Sequence, residues 1–296
     1  MLKTDDLLAM SLEIEKTLNF LAAYKGMTAQ QEQGVERLTQ KLMGLFDGIF
    51  QEVLEKLDAL GSVPASAVQR RALLAILDRI RGDYSEAVSE EAIRSAQTGK
   101  SMAIADLKKY GIAVEPFDFR NHTINLIKNH AFEASDMTLK RMQGDVMKVL
   151  AKAYQEGVGI DEAAERLESK FEGMKDWELE RIARTEVISH QNEGRYLAEQ
   201  RLGVDFHQWW SAEDDDVRDS HEYLHGQIVR IGDKFENGLE YPGDRSGPIE
   251  EWINCRCILV PFIMPPDLRA PDEEYFFEED LVPIKRAEDK SGIITR

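Results

Sequence analysis

Along the first half of the chain, apolar residues recur at steps of three and four. Leu38, Leu42, Leu45, Ile49, Val53, Leu57 and Leu60 fall on one face of a 3.6-residue period, which predicts a long amphipathic helix that stops at "GSVP" (61–64). Leu73, Leu74, Ile76, Leu77 and Ile80 predict a second helix, continuing at lower hydrophobicity to near Gly99. Pro116 interrupts the pattern, and beyond it two apolar sets predict two more helices: Ile124, Ile127 and Phe132, then Met142, Val146, Val149 and Leu150. Residues 1 to about 156 thus read as helix almost throughout, charged on the outer faces and joined by short links. That is the pattern of a helical bundle, or of an extended helical arm laid on a partner.

The character changes after "EGVGIDEAAERLESKFEG" (156–173), where a turn, a cap at Asp161 and a short helix are expected. A further helix is predicted from Trp177 to Arg201, followed by three strand-like pieces, 205–212, 227–232 and 257–263, between loops rich in Asp, Gly and Pro. From Pro265 onward, proline and acidic residues around "EEYFFEEDLVPIKR" read as an extended acidic tail carrying a docking segment. The fold class is therefore α+β and predominantly α. A helical N-terminal region (1–120) suited to docking on a partner is followed by a small α+β module with short strands (121–264) and a tail (265–296).

Composition narrows the functions. With 296 residues, 43% of them hydrophobic, the chain can bury a substantial core. A formal net charge of −18 argues against a surface that binds nucleic acid or anionic membrane as a whole. No apolar run approaches the roughly 20 residues that span a bilayer, and "MLKTDDLLAM" has acids where a signal peptide has bases, so a cytoplasmic product is expected. The two cysteines, Cys255 and Cys257, are too close in sequence to staple a fold, and read as packed thiols or metal ligands.

Candidate chemistry lies in three places. On the 177–201 helix one stripe runs through Leu179, Ala183, Glu186, His190, Gly194 and Leu197, so an acid and a histidine share the face that should be buried. A buried carboxylate needs a cation or a metal nearby; Arg184 is too close in sequence to share its face, but Arg218 could reach it, and the pair reads as a structural Arg/Glu/His network or as a catalytic acid and base. Next, His221-Glu222-Tyr223-Leu224-His225 spells H-E-x-x-H, the zinc-protease pattern. Gly226 follows at once and "DDDVRD" precedes, so the helix that would aim both imidazoles at one metal is short, and the match reads as coincidence. Finally, His221, His225, Cys255 and Cys257 form a candidate Cys₂His₂ zinc set, the basis of an alternative reading as a metal-dependent hydrolase or nuclease-like module. Lys140, Arg141, Lys148 and Lys152, or Arg181, Arg195 and Arg201, could contact DNA, although solvated helix faces explain them as well.

Taken in order, "ARTE" (183–186), "QNEGR" (191–195), a Trp-containing strand, "DDDVRDSHEYLHGQ" (214–227), "DKFENGLEYPGD" (233–244) and "EWINCRC" (251–257) resemble the Mu F-like minor head proteins of tailed bacteriophages over about residues 120–262. The family pattern D-x-x-x-R-x-x-H-x-x-L-x-G is matched by Asp214, Arg218, His221, Leu224 and Gly226. Its R-T-E is matched by Arg184, Thr185 and Glu186, and its N-C-R-C by Asn254, Cys255, Arg256 and Cys257. Glu222 and His225 fall at free positions. The resemblance implies a non-enzymatic minor capsid component without a required cofactor, carried in the virion after assembly in the host cytoplasm. It would associate with the portal protein, and with scaffold, major capsid protein or packaged DNA as further partners, in head assembly, DNA packaging or delivery. The motif residues would then form a polar core: Glu186 with Arg184 or Arg218, His221 with Glu186, Asp214 or the cysteines, and Asn254 with the Cys pair closing a strand edge onto the helix.

Overall fold

The computed structural model describes residues 26–284; the N-terminal "MLKTDDLLAM" and the last part of the tail, 285–296, lie outside the described residues. Helix α1 (Ala29–Ala59) opens with a reciprocal capping box between Thr28 and Gln31. It buries Leu38, Leu42, Ile49, Val53 and Leu57 as the period predicts, and adds Phe46 and Phe50 to the same face. Phe50 stacks on Phe171 with ring centroids 4.0 Å apart. Leu60 lies past the helix end and is exposed.

The predicted second helix is three pieces: α2 (Ala67–Leu74), a 3₁₀ segment (Ala75–Ile80) and α3 (Arg81–Lys109). The tighter 3₁₀ winding brings positions i and i+3 into line, so Leu74, Leu77 and Ile80 form one buried row. The two helices expected after Pro116 are one, α4 (Asn121–Glu156). Its buried stripe, Ile127, Ala131, Ser135, Leu139, Met142, Val146, Leu150 and Ala153, passes through small residues that a count of large apolar side chains reads as a gap. Phe132, assigned to the apolar face, is exposed.

Helix α5 (Ile160–Gly173) starts from Gly159, with Asp161 inside the first turn and not at the cap. There the carboxylate still favours the positive helix end. One π-helical turn, Met174–Glu178, leads directly into α6 (Leu179–Leu202).

Helix α6 is the spine of the molecule. A single apolar core runs from Val35 on α1 through α3, α4 and α5 to Leu179, Ala183 and Val187 on α6, so the N-terminal helices and the module share one interior. The closest approach is between α3 and α6, where Gly99 faces Gln191 and Gly194 faces Ala96. A Cβ at either glycine would collide with the opposing carbonyl. Arg195 and Asp106 pair at 2.8 Å across this contact, both buried.

The other side of α6 carries a four-stranded antiparallel sheet in the order β3-β1-β2-β5. Its strands are β1 (Phe206–Trp210), β2 (Ile228–Arg230), β3 (Ile258–Phe262) and β5 (Tyr275–Phe276). Between them lie the short helices α7 (Asp219–Tyr223) and α8 (Ile249–Trp252). Strand β1 is central, pairing Phe206 with both Arg230 and Phe262. The described part of the tail folds back on the module. Strands β4 (Leu268–Arg269) and β6 (Val282–Pro283) pair with each other, and Phe276 of β5 is buried against Phe206. The docking segment expected around "EEYFF" therefore meets a surface on its own chain.

Candidate functional site

Most of the predicted motif residues converge on one loop, 253–257, at the entrance to β3. Asn254 stands in the left-handed region (φ 56°), which an Asn tolerates better than most side chains. Its backbone N–H donates to the Thr185 hydroxyl at 2.9 Å, and its side-chain oxygen accepts from Arg184 at 3.1 Å. Arg184 also pairs with Glu180. The Arg218 guanidinium donates to the Ile253 carbonyl, and Arg256 pairs with Asp214 at 2.6 Å. Gly226, at φ 84°, closes the turn after α7 and donates its N–H to the Trp209 carbonyl at 2.9 Å, while Leu224 is buried in the core beneath the sheet.

Three expected pairings are thus replaced. Glu186 is met by Arg245 and His190 in place of Arg184 or Arg218; Asp214 holds Arg256 in place of His221; and the strand edge is closed by Asn192 in place of Asn254. Arg218 is drawn to the loop because the Ile253 carbonyl needs a partner, and Arg184 because the Asn254 side-chain oxygen does. Asn192, midway along α6, donates to the Cys257 carbonyl at 2.9 Å and accepts the Leu259 N–H at 3.0 Å. Its carboxamide thereby does the work of a neighbouring strand on the free edge of β3.

His221 belongs with the cysteines. Its Nδ1 lies 3.6 Å from Cys255 Sγ and 3.4 Å from Cys257 Sγ, and its Nε2 lies 3.1 Å from Glu251 Oε2. All three side chains are buried, and both thiols are free. Burial opposes charge on Cys255, but the Cys257 and His221 contacts outweigh it and hold this thiol well below the usual range. Burial and the neighbouring sulfur push Cys257 well above it. His221 is raised: burial works against its charge, and the Cys255 contact prevails.

His225 is elsewhere, accepting at Nδ1 from the Ser211 hydroxyl at 2.9 Å and lying 4.2 Å from the Trp210 ring. The four-residue zinc set is therefore not assembled; among the described residues the metal-competent group is His221, Cys255 and Cys257. Helix α7 has only five residues and ends before His225, Glu222 is exposed, and the two imidazoles face different partners. The H-E-x-x-H letters do not have zinc-protease geometry.

Above this loop lies a cavity of about 690 Å³ between α4, α6 and the 241–253 segment. A line of charge crosses its floor. Arg245 lies 2.7 Å from Glu186, Glu186 is 3.5 Å from His190, His190 is 2.8 Å from Glu193, and Glu193 is 3.2 Å from His130. Burial would raise the Glu193 carboxyl, but the bonds to His130 and His190 bring it down to about 2. Glu186 is also lowered, burial being outweighed by Arg245 and His190, and His190 is raised against its own burial by the two glutamates. Of these residues, sequence reasoning found Glu186 and His190. It missed Glu193, His130 and Arg245, which lie at unremarkable spacings on three different segments.

The basic residues considered for DNA are engaged. Lys140 pairs with Asp136, Arg141 with Glu178, Lys148 with Asp145 and Lys152 with Glu156; Arg181 and Arg201 lie over Trp177 and Phe117. Arg195 is buried and cannot reach a nucleic acid.

The fold and site define a class: a helical spine that carries a small antiparallel sheet and clamps one Cys-containing loop. Residues 144–260 match the family described as phage Mu protein F like protein, which supports a phage Mu F-like protein. Neither a curated protein nor a solved structure matches the chain. The family is one of phage head morphogenesis proteins and is typically structural. No helix among the described residues is long and apolar enough to cross a membrane.

Proposed function

We propose that the chain is a minor head protein that works at the portal vertex, in head assembly, DNA packaging or DNA delivery, and remains in the virion. The observation that carries the reading is the family match over 144–260, the segment that contains the whole clasp around 253–257. Two physical features support it. The net charge of −18 keeps the protein from coating packaged DNA, whose phosphates repel it. Large apolar side chains stand exposed around the cavity: Met137 on α4 and Ile249 on α8 belong to its lining, and Trp177 lies against Arg181 of the same wall. An exposed apolar rim of this kind suits docking on another protein.

The test is co-expression with the portal protein of the same phage, followed by affinity purification of the portal. The two proteins are expected to co-purify, and Met137→Ser with Ile249→Ser is expected to abolish this while leaving the melting temperature unchanged. Wild-type protein that never accompanies the portal would overturn the reading. Because α1 and α3 share the core with α6, deletion of residues 1–120 would destroy the fold and is unsuitable for this test.

A further inference from the structure

The chain has only two cysteines, and both sulfurs point at the same ring nitrogen. Neutral imidazole offers one lone pair at Nδ1 once Nε2 carries the proton, and the Nε2–Glu251 contact of 3.1 Å selects that tautomer. One thiol can donate to this lone pair, and the second sulfur faces the same nitrogen from 3.4 Å with no further lone pair there to meet it. A cation between them would satisfy all three donors.

Distances agree with that arrangement. Around a tetrahedral Zn²⁺, with Zn–S about 2.3 Å and Zn–N about 2.0 Å, sulfur and nitrogen ligands stand about 3.5 Å apart. The two S···N separations here are 3.6 and 3.4 Å, and the three donor atoms lie within 4.8 Å of one another. The surroundings are also those of a metal site. The imidazole is backed by a carboxylate, the arrangement that fixes and strengthens histidine ligands. Glu251 is itself oriented by the Asn237 amide at 3.3 Å and the Ser220 hydroxyl at 3.3 Å. The backbone N–H of Cys257 points at Cys255 Sγ from 3.4 Å, a contact that favours the thiolate.

We propose that His221, Cys255 and Cys257 bind a thiophilic divalent cation of the Zn²⁺ class, which ties α7 to the entrance of β3. The ligands are His221 Nδ1 and two thiolates, with a solvent oxygen completing the tetrahedron. Binding releases both thiol protons to solvent, with no change in oxidation state. The metal is structural: it joins 221 to 255 and 257 in a region where, among the described residues, the sheet is only four short strands wide.

The test uses the full chain, expressed with added zinc and purified without chelators. Elemental analysis is expected to find about one equivalent of zinc per chain, kept by His225→Gln and Glu222→Gln and reduced below about a tenth by Cys255→Ser and by Cys257→Ser. Cobalt reconstitution of the wild type should give thiolate-to-metal charge-transfer absorption, a readout that remains if the cysteine variants fail to fold. Glu251→Gln should bind zinc about 10- to 100-fold more weakly. Wild-type protein that takes up less than about a tenth of an equivalent from zinc-containing buffer and shows no thiolate–cobalt band would overturn the proposal, as would zinc that is lost in His225→Gln.

Discussion

Asn192 and Cys257 are 65 residues apart in sequence, yet the side chain of the first donates to the main-chain carbonyl of the second at 2.9 Å. With the Leu259 N–H bonded to the same carboxamide, two backbone groups on the free edge of β3 depend on one side chain. Asn192→Leu leaves both buried without partners. The expected loss is about 2–4 kcal/mol by urea denaturation. A change below about 0.5 kcal/mol would mean that the edge finds other partners.

Thr185 separates its methyl from its hydroxyl in a testable way. The hydroxyl accepts the Asn254 N–H at 2.9 Å and donates to the Arg181 carbonyl at 2.8 Å. Thr185→Val keeps the shape and removes both bonds, so about 1–3 kcal/mol should be lost, while Thr185→Ser stays close to wild type. Equal losses in the two variants would assign the role to the methyl group.

The α3–α6 contact depends on two missing side chains. Gly194→Ala places a Cβ against the Ala96 carbonyl, and Gly99→Ala does the same against Gln191, so the helices must separate. Each should cost about 1–3 kcal/mol or more and lower the melting temperature, whereas Gly144→Ala, at an open helix position, should not. Thermal melts of the three variants check this.

The cavity network gives a pH signature with a definite sign. The carboxyl of Glu193 is lowered from 4.5 to about 2, so its contribution, on the order of 3 kcal/mol, is complete above pH 4.5 and disappears as pH falls toward 2. His190 is shifted upward, so its share is complete below its ordinary 6.5 and is lost as pH rises through the folded value. The stability gap between wild type and Glu193→Gln should therefore narrow between pH 4.5 and 2. Denaturation series at successive pH values measure it; a gap that widens with acid would contradict the network.

Much of the architecture was legible in the residues, and the failures have physical causes. The apolar period located α1, and the predicted helix 177–201 with the strand-like pieces between Asp-, Gly- and Pro-rich loops located α6 and the three main strands. Periodicity missed the unity of α4 because Ala131 and Ser135 carry its stripe with little hydrophobic signal. It also missed the 3₁₀ break at 75–80, where winding changes without any change in the apolar set. At the site, the motif residues meet partly as expected, His221 with the cysteines, and partly with other partners, Glu186 with Arg245 and Asp214 with Arg256. Arg184 serves the Asn254 side chain and Arg218 the Ile253 carbonyl, while the partners of Glu186 and His221, Arg245 and Glu251, come from a loop and from the short helix α8, whose placement only the fold provides.

The central proposal is that these motif residues build a structural head protein around the 253–257 loop and do no chemistry. The most direct measurement pairs the melting temperature of Thr185→Val, Asn192→Leu, Arg218→Ala and Arg256→Ala with the yield of filled heads when each variant replaces the wild type in the phage. Yield should fall in the order in which stability falls, with the most stable variant assembling the most heads. A variant that keeps wild-type stability and enters heads normally, yet abolishes infectivity, would contradict the claim.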